Sequence, residues 1–179
     1  MSDFISKTEE YVTELLTNNL DSKYLYHNLR HTQRVVKSTK ELLEHYNLNE
    51  NENNAILIAA WLHDIGYTVN STNHEEHGAA LAKNFLEKIG CEKEFVAAVG
   101  KLILATKMDY EPINLQEQII KDADCSHFAQ KSYLETSELL REELILLGLT
   151  EFSTKEWRNK NIELFRTLHR YYTDYAIEN

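Results

Sequence analysis

Three short motifs in this sequence carry side chains that bind metal ions or transfer protons. They are Tyr26-His27-Asn28-Leu29-Arg30-His31, His63-Asp64 and Asp122-Ala123-Asp124. Imidazole nitrogens and carboxylate oxygens are ligands of divalent metal ions, and both groups also act as general acids or bases. The motifs therefore favour acid–base chemistry at a bound metal ion.

The His63-Asp64 pair ends a strongly apolar segment, residues 55–64. Adjacent residues of a helix point about 100° apart, so both can face one ion only where the helix ends. We expect Gly66 to end it in a left-handed conformation. Two polar ligands at the end of such a helix would be costly to bury without a cation.

The other two motifs leave alternatives open. His27 and His31 are four residues apart, which predicts one shared helical face. That spacing suits two ligands of one metal ion, or one ligand beside one proton donor. Asp122 and Asp124 are two residues apart and cannot share a face of a helix. Either one carboxylate points inward and the other outward, or the helix begins there.

Together the motifs resemble the signature of the HD superfamily of metal-dependent phosphohydrolases, and His63-Asp64-Ile65-Gly66 matches a common form of its central motif. The opening motif, from Tyr26 to His31, is similar to that of cyclic-nucleotide phosphodiesterases. The resemblance covers about residues 23–129, and the last fifty residues resemble the C-terminal helices of small predicted HD hydrolases from bacteria. It implies a metal site formed by His31, His63, Asp64 and Asp124, with His27 as the proton donor.

The resemblance also suggests residues around the metal. His74 precedes Gly78 by four positions, as a histidine of the family often does, and implies a catalytic role for His74 and Glu75 beside Asp64. Arg30 and Lys107 are candidate contacts to a substrate phosphate. Arg30 also belongs to a basic stripe with Arg34 and Lys37, for which a solvated helix face is the simpler interpretation.

Two-metal members of the superfamily that this chain resembles usually have a further histidine between the position of His74 and the last aspartate, and residues 96–120 contain none. A second metal ion fully caged by protein side chains is therefore not expected, which also counts against a di-iron oxygenase.

The elements that must position these residues are predicted to be helices. Apolar residues recur at helical spacing nearly throughout, and the chain has one proline and five glycines. We predict an all-α, single-domain bundle of about eight helices over residues 1–179. After a first N-terminal helix, the predicted helices are residues 24–46, 55–64, 75–89, 93–105, 115–127, 131–147 and 154–177, with mobile loops at 47–54 and 107–114.

The net charge is −10. An acidic surface repels a phosphate backbone, so a long nucleic acid is not an expected partner. Cys91 and Cys125 do not suggest a disulfide framework. We expect neither a signal peptide nor a membrane span, and therefore a cytoplasmic protein. A homodimer is compatible with the sequence.

The expected function is hydrolysis of a phosphate ester in a small phosphorylated substrate, a nucleotide or a related metabolite. The expected cofactor is a divalent cation: Mn, Fe, Zn, Co, Ni or Mg. The alternative is a metal-containing HD module that binds a nucleotide without turnover, as a sensor or scaffold.

Overall fold

The computed structural model describes residues 2–167 and 169–178, and within these ranges it contains helices and no strand. The helices are α1 (Ser2–Asn19), α2 (Leu29–Leu43), α3 (Glu50–Leu62), α4 (His74–Lys88), α5 (Lys93–Ala105), α6 (Leu115–Cys125), α7 (Tyr133–Leu146), α8 (Thr154–Thr167) and α9 (Asp174–Glu178). Two 3-10 turns, Ile65–Thr68 and Ser126–Ala129, follow α3 and α6. The all-α prediction is confirmed, whereas a single domain over the whole chain stays a prediction.

Helix α3 lies at the centre of the bundle, against α1, α2, α5 and α6. Its side chains are apolar on nearly all sides, and Ile56, Ile58 and Leu62 are fully buried. A helix that is apolar all round is stable only when neighbours cover each of its faces. No helix in the described part of the chain is both long and apolar enough to cross a membrane.

Helix capping explains two differences from the predicted boundaries. Asn28 is the N-cap of α2 and accepts a hydrogen bond from the backbone N–H of Arg30, so the helix begins at Leu29. The predicted shared helical face of His27 and His31 is therefore wrong, because His27 precedes the helix. Residues 50–54, predicted as loop, are helical because Asn49 forms a capping box with Glu52.

Close packing, rather than a left-handed conformation, accounts for Gly66. This glycine lies in a 3-10 turn and is not among the residues with positive φ, so that prediction is wrong. A Cβ at this position would lie 1.8 Å from the carbonyl oxygen of His74 and 2.7 Å from the backbone nitrogen of Gly78. The turn after α3 is therefore pressed directly against the first turn of α4.

The predicted helix over residues 154–177 is described as two helices, α8 and α9, and residue 168 lies outside the described residues. Residues 169–173 are not helical. The backbone N–H groups of Tyr172 and Thr173 instead donate hydrogen bonds to the carboxylate of Asp122 on α6. This contact ties the C-terminal segment to the bundle.

Candidate metal centre

Three helix ends bring the metal-ligand candidates to one point. His31 lies in the first turns of α2, and Asp124 lies in the last turn of α6. His63 is the C-cap of α3, and Asp64 follows it. Because α2, α3 and α6 pack against one another, these ends meet inside the bundle.

The ligand atoms converge closely. The Nε2 atoms of His31 and His63 lie 3.2 Å apart. Asp124 Oδ1 lies 3.1 Å from His31 Nε2, and Asp64 Oδ2 lies 3.2 Å from His63 Nε2. One ligand atom from each of His31, His63 and Asp124 falls within 4.8 Å of the others, which is close enough for one metal ion. The side chain of Asp124 is 26% exposed, so this side of the centre is open to solvent.

The hydrogen bonding of these residues fits a cation. His63 Nδ1 lies 2.9 Å from the carbonyl oxygen of Ala60, which places a proton on Nδ1, so the neutral ring would carry its lone pair on Nε2. Asp64 Oδ2 is buried and accepts no hydrogen bond of suitable geometry among the described residues, although the Nε2 atoms of His31 and His63 lie 3.3 and 3.2 Å away. A buried carboxylate oxygen without a hydrogen bond is costly, and a cation bound between these three atoms would remove that cost.

The electrostatics lead to the same conclusion. Burial lowers the pKa of a histidine, but the carboxylates of Asp64 and Asp124 more than offset this effect and raise the pKa of His63 to about 9. Burial raises the pKa of a carboxyl, yet the two histidines hold the pKa of Asp64 well below its usual range. The cluster therefore favours positive charge at the imidazole nitrogens. A metal ion would replace protons there, so its affinity should rise with pH.

Two aromatic side chains support the centre from behind. The hydroxyl group of Tyr26 lies 3.1 Å from His127 Nδ1, and the Tyr26 ring packs at 4.8 Å from the His31 ring. His127 Nδ1 also lies 3.3 Å from the carbonyl oxygen of Asp124. Burial lowers the pKa of His127 to about 4, so the ring stays neutral at neutral pH. His127 thus contacts the backbone of Asp124, one of the candidate ligands.

Glu143 on α7 is a site residue that the motifs did not predict. Its carboxylate is buried, and Oε2 accepts hydrogen bonds from the backbone N–H groups of Tyr26 at 2.8 Å and His27 at 3.0 Å. Oε1 contacts His27 Nδ1. The imidazole of His27 is thereby held at Nδ1 while Nε2 is left for another partner. The only sequence signal is that Glu143 shares the inward side of α7 with Thr136.

His74 and Glu75 lie beside the centre. His74 Nε2 is 3.8 Å from Asp64 Oδ1 and 3.4 Å from Glu75 Oε1. Asp64 thus directs Oδ2 toward His31 and His63, and Oδ1 toward His74. The structure therefore brings these two sequence-predicted residues together with Asp64, at the rim of the cluster.

The remaining candidates lie on the surface. Arg30 is exposed on the first turn of α2. Lys107 follows α5, and its ammonium group forms an ion pair with Glu76 on α4. A phosphate contact by Lys107 would have to compete with Glu76.

Asp122 and Asp124 point in different directions, as the spacing predicts, but neither lies on an outward face. Asp122 is 2% exposed and accepts hydrogen bonds from the backbone N–H groups of Tyr172 and Thr173 and from the Thr173 hydroxyl. Its carboxylate anchors the C-terminal segment. The expectation that one of the two carboxylates is outside is therefore wrong.

The fold and the site define an all-helical protein with a candidate metal centre at the meeting point of three helices. A family model described as the HD domain matches residues 28–129, more than half of the chain, and the chain therefore belongs to the HD domain family. This family consists mostly of metal-dependent phosphohydrolases. The match includes all four ligand candidates but not Glu143. Comparisons with curated proteins and with solved structures give no match.

Proposed function

We propose that this protein is a metal-dependent phosphohydrolase that acts on a phosphate ester of a nucleotide or a similarly small metabolite. One observation carries the proposal. Two histidine Nε2 atoms converge with the carboxylates of Asp64 and Asp124, and the buried Asp64 Oδ2 accepts no hydrogen bond of suitable geometry among the described residues. In an HD domain, such a cluster is the expected place for a catalytic metal.

His31, His63, Asp64 and Asp124 would hold the ion. Mixed nitrogen and oxygen ligands suit Mn, Fe, Zn, Co or Ni, and Mg is also compatible. When bound, a divalent cation lowers the pKa of a coordinated water and polarises a phosphoryl oxygen.

His27 supplies the proton for the leaving oxygen. Because Glu143 contacts Nδ1 of this imidazole, Nε2 is the nitrogen available to a substrate. On the other side, Asp64 Oδ1, His74 and Glu75 offer acceptors that can orient an attacking water. Arg30 and Lys107 are proposed to contact the substrate phosphate, with Lys107 leaving Glu76 when an anion binds.

A small substrate agrees with the charge of the molecule. A chain of net charge −10 repels extended nucleic acid, whereas a single phosphate group can be held by a local cation. We further propose a cytoplasmic location and assembly as a homodimer. Exposed apolar side chains on or beside α7 and α8, Leu146, Leu149 and Ile162, offer a surface for such a contact.

A metal-supplemented substrate screen tests the function. The purified protein is incubated with each of the six cations and a panel of phosphomonoesters, phosphodiesters, nucleotides and cyclic nucleotides. We expect metal-dependent hydrolysis that His63→Ala abolishes. His45→Ala is the matched control, because His45 is exposed and stacks on Tyr175. Nucleotide binding without turnover would favour the sensor or scaffold alternative. If the protein shows no nucleotide binding and no turnover, both functions are contradicted.

A further inference from the structure

Tyr67 lies in the 3-10 turn directly after His63-Asp64, and the proposed mechanism does not use it. Its ring stacks on His27, with centroids 4.4 Å apart and planes inclined by 25°. It also stacks on His74, with centroids 4.0 Å apart and planes inclined by 18°. One phenol ring thus contacts both histidines to which the proposed function gives roles in proton transfer and in orienting water.

The distances place the two imidazoles on opposite faces of the phenol. Rings in contact are separated by roughly 3.5 Å, so two imidazoles on one face at these centroid distances would lie within about 5 Å of each other. The centroids of His27 and His74 are 6.4 Å apart. Their planes are inclined by 43°, as expected when they tilt to either side of the central ring. Tyr67 is therefore a spacer between the two.

Both ends of this stack are fixed by other contacts. Gly66 is pressed against the carbonyl oxygen of His74, so the backbone of the Tyr67 turn cannot shift relative to the start of α4. On the far side, Glu143 holds His27 through the backbone N–H and Nδ1. The ring of Tyr67 lies between these two anchors.

We propose that Tyr67 is a positioning residue that sets the spacing and orientation of His27 and His74 through the faces of its ring. The proposal deepens the proposed function and rests on it for its catalytic consequence. The hydroxyl group is not required, because both contacts are made by ring faces. Without the ring, His27 would lose the neighbour that covers one face of its imidazole, and its Nε2 would no longer be directed reliably at the leaving oxygen.

The test compares Tyr67→Phe, which keeps the ring, with Tyr67→Leu and Tyr67→Met, which do not. Misplacement of a reacting group by about 1 Å can reduce the rate by about 10²-fold. We therefore expect kcat to fall on the order of 10–100-fold in Tyr67→Leu and Tyr67→Met and to stay near the wild-type value in Tyr67→Phe. KM should change less than kcat. The matched control is Tyr11→Leu, which removes another stacked pair, with Phe85, outside the site.

Two readouts separate positioning from loss of stability. If Tyr67 acts through His27, then Tyr67→Leu and Tyr67→Met should reduce turnover most for substrates with poor leaving groups. In the double variant His27→Ala/Tyr67→Leu, the combined loss on such substrates should be smaller than the product of the two single losses, because the part that acts through His27 is already absent. Equal losses for all leaving groups, full additivity in the double variant, or a similar kcat loss in Tyr11→Leu would overturn the proposal.

A measurement that does not need turnover distinguishes this inference from the proposed function. In NMR spectra, the ring current of Tyr67 should change the chemical shifts of the carbon-bound imidazole protons of His27 and His74. Tyr67→Leu and Tyr67→Met should shift both sets, and Tyr67→Phe should leave them near their wild-type positions. Unchanged histidine signals in Tyr67→Leu and Tyr67→Met would contradict the positioning role. If these variants shift the signals but the wild-type protein is inactive, only the phosphohydrolase assignment is contradicted.

Discussion

His27 and Glu143 are 116 residues apart in the sequence, yet the Glu143 carboxylate contacts both the backbone N–H and the imidazole Nδ1 of His27. Glu143 lies on α7, beyond the residues that match the HD domain model. The C-terminal helices therefore do more than cover the bundle, because one of them holds the proposed proton donor in place.

The first prediction concerns this carboxylate. Glu143→Ala leaves the buried N–H groups of Tyr26 and His27 without their acceptor, so we expect the free energy of unfolding to fall by about 3 kcal/mol. Glu143→Gln retains an oxygen acceptor and should cost less stability, while kcat falls by about tenfold or more. Urea denaturation and steady-state kinetics measure the two effects. Glu142→Gln, at an exposed neighbouring side chain, should change neither. Wild-type kcat in Glu143→Gln would exclude the positioning of His27 by this residue.

The second prediction concerns His27 itself. We propose His27 as a proton donor that lies outside the ligand cluster. The His27→Ala variant should therefore keep its metal, while its turnover falls by about 10²–10⁴-fold. Substrates with good leaving groups should be affected less, because they need less protonation. Elemental analysis and kinetics on a leaving-group series decide this. Loss of metal would make His27 a ligand, and equal losses for all leaving groups would argue against the acid role.

Metal removal should destabilise the fold. The proposed ligands lie at the ends of α2, α3 and α6, so an ion should bind the folded chain far better than the unfolded chain. Chelation should therefore lower the melting temperature by mass action. Differential scanning calorimetry before and after verified removal tests this, with re-addition of the ion as the control. An identical melting curve for both forms would mean that no ion joins these helices.

His127 should make stability depend on pH below neutrality. Burial lowers the pKa of His127 in the folded protein to about 4, whereas an unfolded histidine titrates near 6.5. Between these values the unfolded state binds more protons, so the free energy of unfolding falls as pH decreases from about 6.5 to about 4, by roughly 3 kcal/mol for this residue. His127→Gln should flatten this slope in urea titrations across that range, and His45→Gln should not. A slope unchanged by His127→Gln would contradict the burial of a neutral imidazole.

Local patterns predicted three of the residues that cluster at the candidate metal centre, His31, His63 and Asp124. The apolar run before His63-Asp64 identified the central helix, and the meeting of helix ends explains how adjacent residues reach one point. The sequence also contains a signal for the beginning of α2, because asparagine is a preferred N-cap residue and Asn28 occupies that position. The prediction missed this signal because the i, i+4 spacing of His27 and His31 favoured a helix that includes both histidines.

Other contacts depend on packing between distant segments. Nothing in the residues around Glu143 states that its side chain reaches His27, because this depends on how α7 lies across the bundle. The same holds for Asp122, whose partners Tyr172 and Thr173 lie about fifty residues away. Single polar residues on inward helix faces have no local pattern that names their partners.

Anomalous diffraction from crystals of the metal-loaded protein tests the central claim most directly. We predict one strong peak, bound by His31 Nε2, His63 Nε2 and the carboxylates of Asp64 and Asp124, with at most a weaker neighbour about 3.5–4 Å away near His74 and Glu75. Two fully occupied ions with several direct side-chain ligands each would contradict the predicted single strong site. A peak elsewhere, or none between the two histidines, would contradict the metal centre itself.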